Sequence, residues 1–223
     1  MTKLQLRNRL NPLTKTLLKW KMMVFSSLLV LSLAVLALWY WPSPGDPEPM
    51  PKELFLFSPR EDALFENPAN WSPHYPGNVI GRQQQFIIEG TVYLTGFGLE
   101  IHGSLLISVG AALYAAGQEI IVSPSGELVN DGEILAGAVR NQGRTHNNLS
   151  ASIDVEQFYA EAGAYTHNAP SARFVVRDSA VNYGIFNNHS LCSVGETFIN
   201  AAIFYQMPRS ELRVKGIAVE VLR

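Results

Sequence analysis

The sequence lacks most of the patterns that mark catalytic or metal-binding proteins. It has one cysteine among 223 residues, which excludes an internal disulfide and a zinc site built from several thiolates. It contains no HExxH, no phosphate-binding GxxxxGKS/T, no CxxC and no GxSxG. The formal net charge of −2 excludes a chain that is polycationic as a whole, so nucleic acid is not expected as a partner. The sequence therefore predicts no catalytic residue and no cofactor.

Charge is also missing from one long segment near the start of the chain. Residues 1–21 carry six basic side chains and no acidic one, whereas the 20 residues Met22–Trp41 carry no charge at all. About 20 apolar residues, each rising about 1.5 Å in a helix, span the hydrocarbon core of a bilayer. The sequence predicts a transmembrane helix at residues 22–41 that contacts the lipid bilayer. The basic residues 1–21 are then cytoplasmic by the positive-inside rule.

A cleaved signal peptide is the alternative interpretation of this segment. The apolar region of a signal peptide is about 7–15 residues long and ends in small residues. Here the apolar run is longer and ends in the bulky Leu38–Trp41. Trp20 and Trp39 would lie about 28 Å apart along a helix, as expected for rings at two membrane interfaces. We therefore expect an uncleaved signal anchor, a single pass through the cell membrane and an extracytoplasmic C-terminal domain.

Proline is concentrated directly after this span. Six of the 13 prolines fall within Pro42–Pro59, a density that favours extended backbone. Residues 42–60 are predicted to be a semi-rigid linker, and residues 61–223 the extracytoplasmic domain. The apolar Leu54–Phe57 within the linker is interpreted either as a first strand or as a docking strip.

Long hydrophobic runs are absent after residue 61, where the apolar segments are three to five residues long. Most of them are followed by Asn-x-Gly or, as with Phe86–Ile88 and Leu99–Ile101, by a glycine two residues later. Strand–turn units of about 20 residues that cannot bury their own core are typical of solenoids. The fold class predicted is mainly β, a small right-handed parallel β-helix with roughly seven coils in Glu61–Phe204. The alternative is an antiparallel β-sandwich.

Three further segments carry separate expectations. Ser150–Ser171 fits neither fold and is predicted to be a short inserted helix or a coil with an enlarged loop. Ser210–Leu222 alternates polar and apolar residues, which predicts a half-buried strand that caps the open end of the solenoid. Cys192 lies in a segment where it alternates with polar neighbours, and it is predicted to be a small buried hydrophobic residue.

The strand and turn segments resemble those of a known group of proteins. Asn70–Pro73 with Tyr75–Gly77 forms an N-W-S…P-G opening, and Gly103–Ile107 and Gly126–Ile134 follow as G-x-L-x-I and L-x-N-x-G-x-I coils. Over residues 67–147 this pattern resembles bacterial surface β-helix proteins of the adhesin and autotransporter-passenger type. The resemblance implies the β-helix fold.

The candidates for a metal site are three histidines that recur at near-coil spacing. His146, His167 and His189 lie 21 and 22 residues apart, and each is next to asparagine. Side chains one coil apart on a solenoid lie about 5 Å from each other, so three stacked imidazoles would suit a transition metal. The favoured interpretation is instead a ladder of hydrogen-bonded polar side chains at the turns, and no metal is assigned.

The acidic residues decide between the two functions considered. Polysaccharide-cleaving β-helix enzymes need clustered carboxylates, and the closest approach to a cluster is Glu127, Asp131 and Glu133. Each of these is interpreted as a solvated side chain at a coil edge. The predicted function is a membrane-anchored, non-enzymatic binding or structural component of the cell envelope, with a polysaccharide or another envelope protein as its partner. The alternative is a membrane-tethered carbohydrate-active β-helix enzyme.

Overall fold

The computed structural model describes residues 52–60 and 62–221. The predicted membrane span at residues 22–41 and the basic residues 1–21 lie outside the described residues, as does most of the predicted linker. In the part that is described, no helix is both long and apolar enough to cross a bilayer. A single 3-10 turn, Pro68–Asn70, lies among the described strands.

The strands are short at both ends of the domain and longest in its middle. In chain order they are β1 Glu53–Phe57, β2 Trp71–Ser72, β3 Val79–Ile80, β4 Gln84–Ile88, β5 Thr91–Tyr93, β6 Leu99–Ile101, β7 Ser104–Ile107, β8 Ala112–Val122, β9 Glu127–Asn130, β10 Glu133–Asn141, β11 Arg144–Asn147, β12 Ser152–Ala160, β13 Tyr165–Asn168, β14 Arg173–Asn182, β15 Ile185–Asn188, β16 Leu191–Val194, β17 Thr197–Asn200, β18 Ile203–Gln206, β19 Glu211–Val214 and β20 Ile217–Glu220.

Two sheets wind around a common core as a parallel β-solenoid of about seven turns. The first sheet has the order β18-β15-β13-β11-β9-β7-β4-β1-β2, and the second contains β19-β16-β14-β12-β10-β8-β6-β3 with β5, β17 and β20 paired at its side. Every named strand pair is parallel except β1 with β2. The parallel β-helix is confirmed, and the antiparallel sandwich is wrong because strands of successive coils pair in parallel within each sheet.

The central strands of the second sheet are longer than the predicted three to five residues. β8 has 11 residues and β10 has 9, and each passes around a corner of the coil. Their register shifts between Ala136 and Ala138, at the level of Gly117 and Gly137. Gly117 has φ +70°, and a Cβ at Gly137 would lie 2.8 Å from the Gly117 backbone. Gly117 in β8 and Gly137 in β10 thus each bend a continuous strand where the sequence indicated a turn.

The segment Ser150–Ser171 is an ordinary coil, and the prediction of a helix or enlarged loop there was wrong. It forms β12 and β13, with Ile153, Val155 and Phe158 facing the core. The sequence does not show a regular alternation of buried and exposed residues here, because Glu156 and Gln157 are both exposed at the corner and interrupt it. Phe158 packs edge-to-face on Phe174 with ring centroids 4.9 Å apart, which continues the aromatic core.

The two ends of the solenoid are built differently. At the N-terminal end β2 pairs antiparallel with β1, and Trp71 packs on Phe57 and Phe65 with its indole N–H donating to the Phe65 carbonyl oxygen at 2.7 Å. Leu54–Phe57 is therefore a strand of the first sheet. At the other end the predicted half-buried strand is two strands, β19 and β20. β20 is exposed along its whole length, so it extends the solenoid by part of a coil and does not cap it.

Candidate functional site

A column of buried asparagines runs along the inside of the first sheet. Asn130, Asn147, Asn168 and Asn188 end consecutive strands β9, β11, β13 and β15 and are fully buried. The first three each donate their amide Nδ2–H to Oδ1 of the next asparagine, at 2.9, 2.9 and 2.8 Å. The same amides also donate to backbone carbonyl oxygens one coil further on. The predicted polar ladder is thus formed by the asparagines beside the histidines.

Other buried asparagines hold the corner at the end of the long strands. Asn141 and Asn182 each accept a hydrogen bond from the backbone N–H two residues later, at Gly143 and Gly184, both 3.1 Å. Asn182 also donates to Oδ1 of Asn200 at 2.8 Å. These contacts explain the Asn-x-Gly repeat: asparagine closes the turn, and glycine fits where the chain passes close to the coil below. The Asn-x-Gly repeat therefore has a structural role.

The three candidate histidines lie outside the same strand ends. His146 and His167 are partners in the parallel register of β11 and β13. The next position of that column is Asn187, and His189 comes two residues later, beyond the end of β15. The rings nevertheless meet: their centroids are 6.3 Å apart for His146 and His167 and 4.9 Å apart for His167 and His189. The predicted proximity is confirmed, although only two of the three share a column.

His167 is the member of this histidine cluster whose ring lies next to both of the others. Its Nδ1 is buried and has no hydrogen-bond partner among the described residues. Desolvation lowers the pKa of His167, and the adjacent His189 and His146 lower it further because a second positive charge would be repelled. His146 has its Nε2 3.7 Å from the Glu127 carboxylate, and Tyr165 accepts a hydrogen bond from Asn187 at 3.0 Å. The arrangement favours a neutral His167.

The described residues do not gather metal ligands. No group of three or more histidine, cysteine, aspartate or glutamate side chains within them is arranged to hold a metal ion. The sequence assigned no metal to His146, His167 and His189, and that expectation stays a prediction, which the metal content of the purified protein would test.

The predicted near-cluster of acids is divided among different partners. Asp131 accepts from the Asn148 amide at 2.8 Å, and Glu133 accepts from the Tyr114 hydroxyl at 3.3 Å. Glu127 faces His146 on the first sheet. The hydrogen bonds and ion contact place all three at coil edges, as interpreted from the sequence.

A cleft that the sequence did not reveal lies at the corner after β12 and β14. This corner cleft has a volume of about 810 Å³ and is lined by Tyr159, Glu161, Tyr183, Asn200 and Glu220, with Ala162, Ala201, Ala202, Ile203 and Val221 completing it. The register joins Tyr159 to Val181, Val181 to Ile199 and Ile199 to Val219, so its walls come from four successive coils. Small alanines leave the space between the larger side chains.

The lone cysteine has no part in any of these sites. Cys192 is buried in β16, and burial raises the pKa of its thiol to about 12, so it is an unreactive core residue as predicted.

No family model matches the chain, and comparison with curated proteins and with solved structures finds no match either. The β-solenoid is therefore established by its own strand pairing, and the adhesin-like character remains a prediction.

Proposed function

We propose that this protein is a membrane-anchored, extracytoplasmic β-solenoid that serves as a non-enzymatic binding component of the cell envelope. In this proposal residues 22–41 anchor it in the cell membrane, the proline-rich segment is a spacer, and the solenoid is right-handed and of the bacterial surface type. The charge asymmetry around residues 22–41 supports the anchor and its orientation.

The corner cleft is the observation that carries the binding function. Its side chains extend from four coils that backbone hydrogen bonds hold in register, so little ordering is needed when a ligand enters. It is concave and combines apolar rings with a few polar groups, which is typical of ligand-binding sites. Its position across the coils suits a polymer or an extended segment of an envelope protein.

The anchor and the orientation can be tested in cells. We expect the full chain to fractionate with membranes, and protease added to spheroplasts to degrade its C-terminal domain. Recovery in the soluble fraction, or protection from the external protease, would overturn the anchored extracytoplasmic proposal.

Binding is tested by co-sedimentation of the detergent-solubilised full chain with isolated envelope polysaccharide. Absence of the chain from that pellet, together with no cross-linked envelope protein, would overturn the binding function.

A membrane-tethered carbohydrate-active enzyme is the second candidate function, because two carboxylates, Glu161 and Glu220, line the same cleft. Glycosidases use a carboxylate pair of this kind. A reducing-end assay on envelope polysaccharide distinguishes the two functions. Our proposal predicts no release above a buffer control. Release that disappears in Glu161→Gln would establish the enzyme instead.

A further inference from the structure

We propose that the occupant of the corner cleft is an uncharged saccharide, held against the ring of Tyr183. The inference rests on the proposed binding function and adds the class of ligand and the side chains that hold it. It follows from three properties of the cleft: an open aromatic surface, hydrogen-bond acceptors beside it, and excess negative charge.

The aromatic surface is formed by two tyrosines from adjacent coils. The rings of Tyr159 and Tyr183 have centroids 5.7 Å apart and are inclined by 56°. The Arg140 guanidinium lies 5.5 Å from the Tyr159 centroid and is itself held by Glu119 at 3.1 Å. Tyr159 is thereby fixed, whereas Tyr183 is 37% exposed. A pyranose has an apolar C–H face that can pack on such a ring, which offers a large apolar surface at little entropic cost.

Hydrogen-bond acceptors adjoin this aromatic surface. Glu161 accepts one hydrogen bond from the Gln142 amide at 2.9 Å, and a carboxylate has about four acceptor sites, so capacity remains. Glu220 is exposed on the neighbouring β20. Sugar hydroxyls are donors that such carboxylates bind well. The cleft therefore offers acceptors to the hydroxyl edge of a sugar whose flat face lies on tyrosine.

The charge of the cleft narrows the class of saccharide. Glu161 and Glu220 bring two negative charges, and Arg140, 3.7 Å from Glu161, brings one positive charge. An acidic sugar would place a further carboxylate beside this net negative charge, and like-charge contacts select strongly against a ligand. A neutral hexose or N-acetylated hexosamine polymer meets no such penalty. The cleft is expected to bind these and to reject polyuronates.

The direct test is binding of defined oligosaccharides to the detergent-solubilised full chain by saturation-transfer NMR and calorimetry. The probes are N-acetylchitotetraose and cellotetraose, with tetragalacturonate as the acidic comparison. At least one neutral probe is expected to bind, and at least about tenfold more tightly than tetragalacturonate. Tyr183→Ala is expected to weaken it at least about tenfold, since the open ring is lost. The control Tyr205→Ala removes a tyrosine that is 51% exposed on the first sheet, outside the cleft, and should bind like the unmodified chain.

The inference would be overturned by binding that Tyr183→Ala leaves unchanged, by an equal loss of binding in Tyr205→Ala, or by tighter binding of tetragalacturonate than of the neutral probes. Failure of both neutral probes would also overturn it. If the chain still sediments with envelope material or cross-links to an envelope protein in that case, the saccharide inference fails and the binding function stands. A Tyr183→Ala chain with an unchanged circular dichroism melt shows that any loss of binding is not loss of folding.

Discussion

His167 and Asn168 are consecutive residues of β13 with opposite surroundings. Asn168 points inward, is fully buried, and joins an unbroken series of hydrogen bonds between coils. His167 points outward and leaves its Nδ1 without a partner among the described residues. The inward asparagine column satisfies its amide groups and stabilises the fold, whereas the outward column at His167 and Asn187 retains polar atoms without a partner among the described residues. Sites for ligands should therefore be sought on the outward columns and at the corners.

The largest expected effect comes from breaking the inward column. Asn168→Ala removes a donor to Asn188 and to the Leu191 carbonyl oxygen, and an acceptor for Asn147. Because the groups left behind are buried, we expect a loss of about 3 kcal/mol in the free energy of unfolding. Urea titration of the detergent-solubilised full chain, followed by circular dichroism, measures it.

The matched control is Asn187→Ala, on the outward side of the next coil. Asn187 donates one hydrogen bond, to Tyr165 at 3.0 Å, so its removal should cost less than about 1 kcal/mol. Equal losses for the two variants would contradict the distinction between inward and outward columns.

A somewhat smaller effect is expected where glycine lets the chain pass close to the coil below. A Cβ at Gly143 would collide with the carbonyl oxygens of Ser123 and Gly126, so Gly143→Ala should destabilise the domain by about 2 kcal/mol. Gly96→Ala is the control, because a Cβ there would meet only Glu66 Oε1 at 3.5 Å. The prediction fails if thermal melting does not separate the two variants.

The smallest effect concerns pH. Burial and the neighbouring His189 and His146 lower the pKa of His167 below its unfolded value of about 6.5. The unfolded chain therefore binds the proton more readily than the folded chain. The contribution of neutral His167 to the free energy of unfolding is therefore fully present above pH 6.5, and it is lost as pH falls from there through the lowered pKa. His167→Gln removes the imidazole and should reduce the change in melting temperature between pH 7.5 and 5. An unchanged dependence of melting temperature on pH would show that another group causes it.

Much of the fold could be predicted from the sequence because each coil of the solenoid repeats the same strand and turn pattern. Short strands, Asn-x-Gly turns and near-coil spacing of His146 and His167 follow directly from one coil packing on the next. The bent long strands were not predicted because Gly117 and Gly137 indicate turns that end a strand, whereas β8 and β10 continue through them. In Ser150–Ser171, two exposed residues at the bend concealed an otherwise regular alternation.

The corner cleft could not be predicted for a different reason. Its residues lie up to 62 positions apart in the sequence, and coil lengths between successive asparagines vary from 17 to 21 residues. Tyr159 and Tyr183 are neighbours only because the register at β12 and β14 brings two unequal turns to one corner. No fixed repeat length in the sequence predicts that these two tyrosines lie side by side.

The separate roles of inward and outward residues are tested most directly by measuring, on two variants, the melting temperature and the binding of the neutral tetrasaccharide that the unmodified chain binds more tightly. Asn168→Ala should melt at a lower temperature and, well below that temperature, bind the tetrasaccharide like the unmodified chain. Tyr183→Ala should melt like the unmodified chain and lose binding by about tenfold or more. A Tyr183→Ala chain that melts early, or a folded Asn168→Ala chain that fails to bind while Tyr183→Ala still binds, would contradict the account.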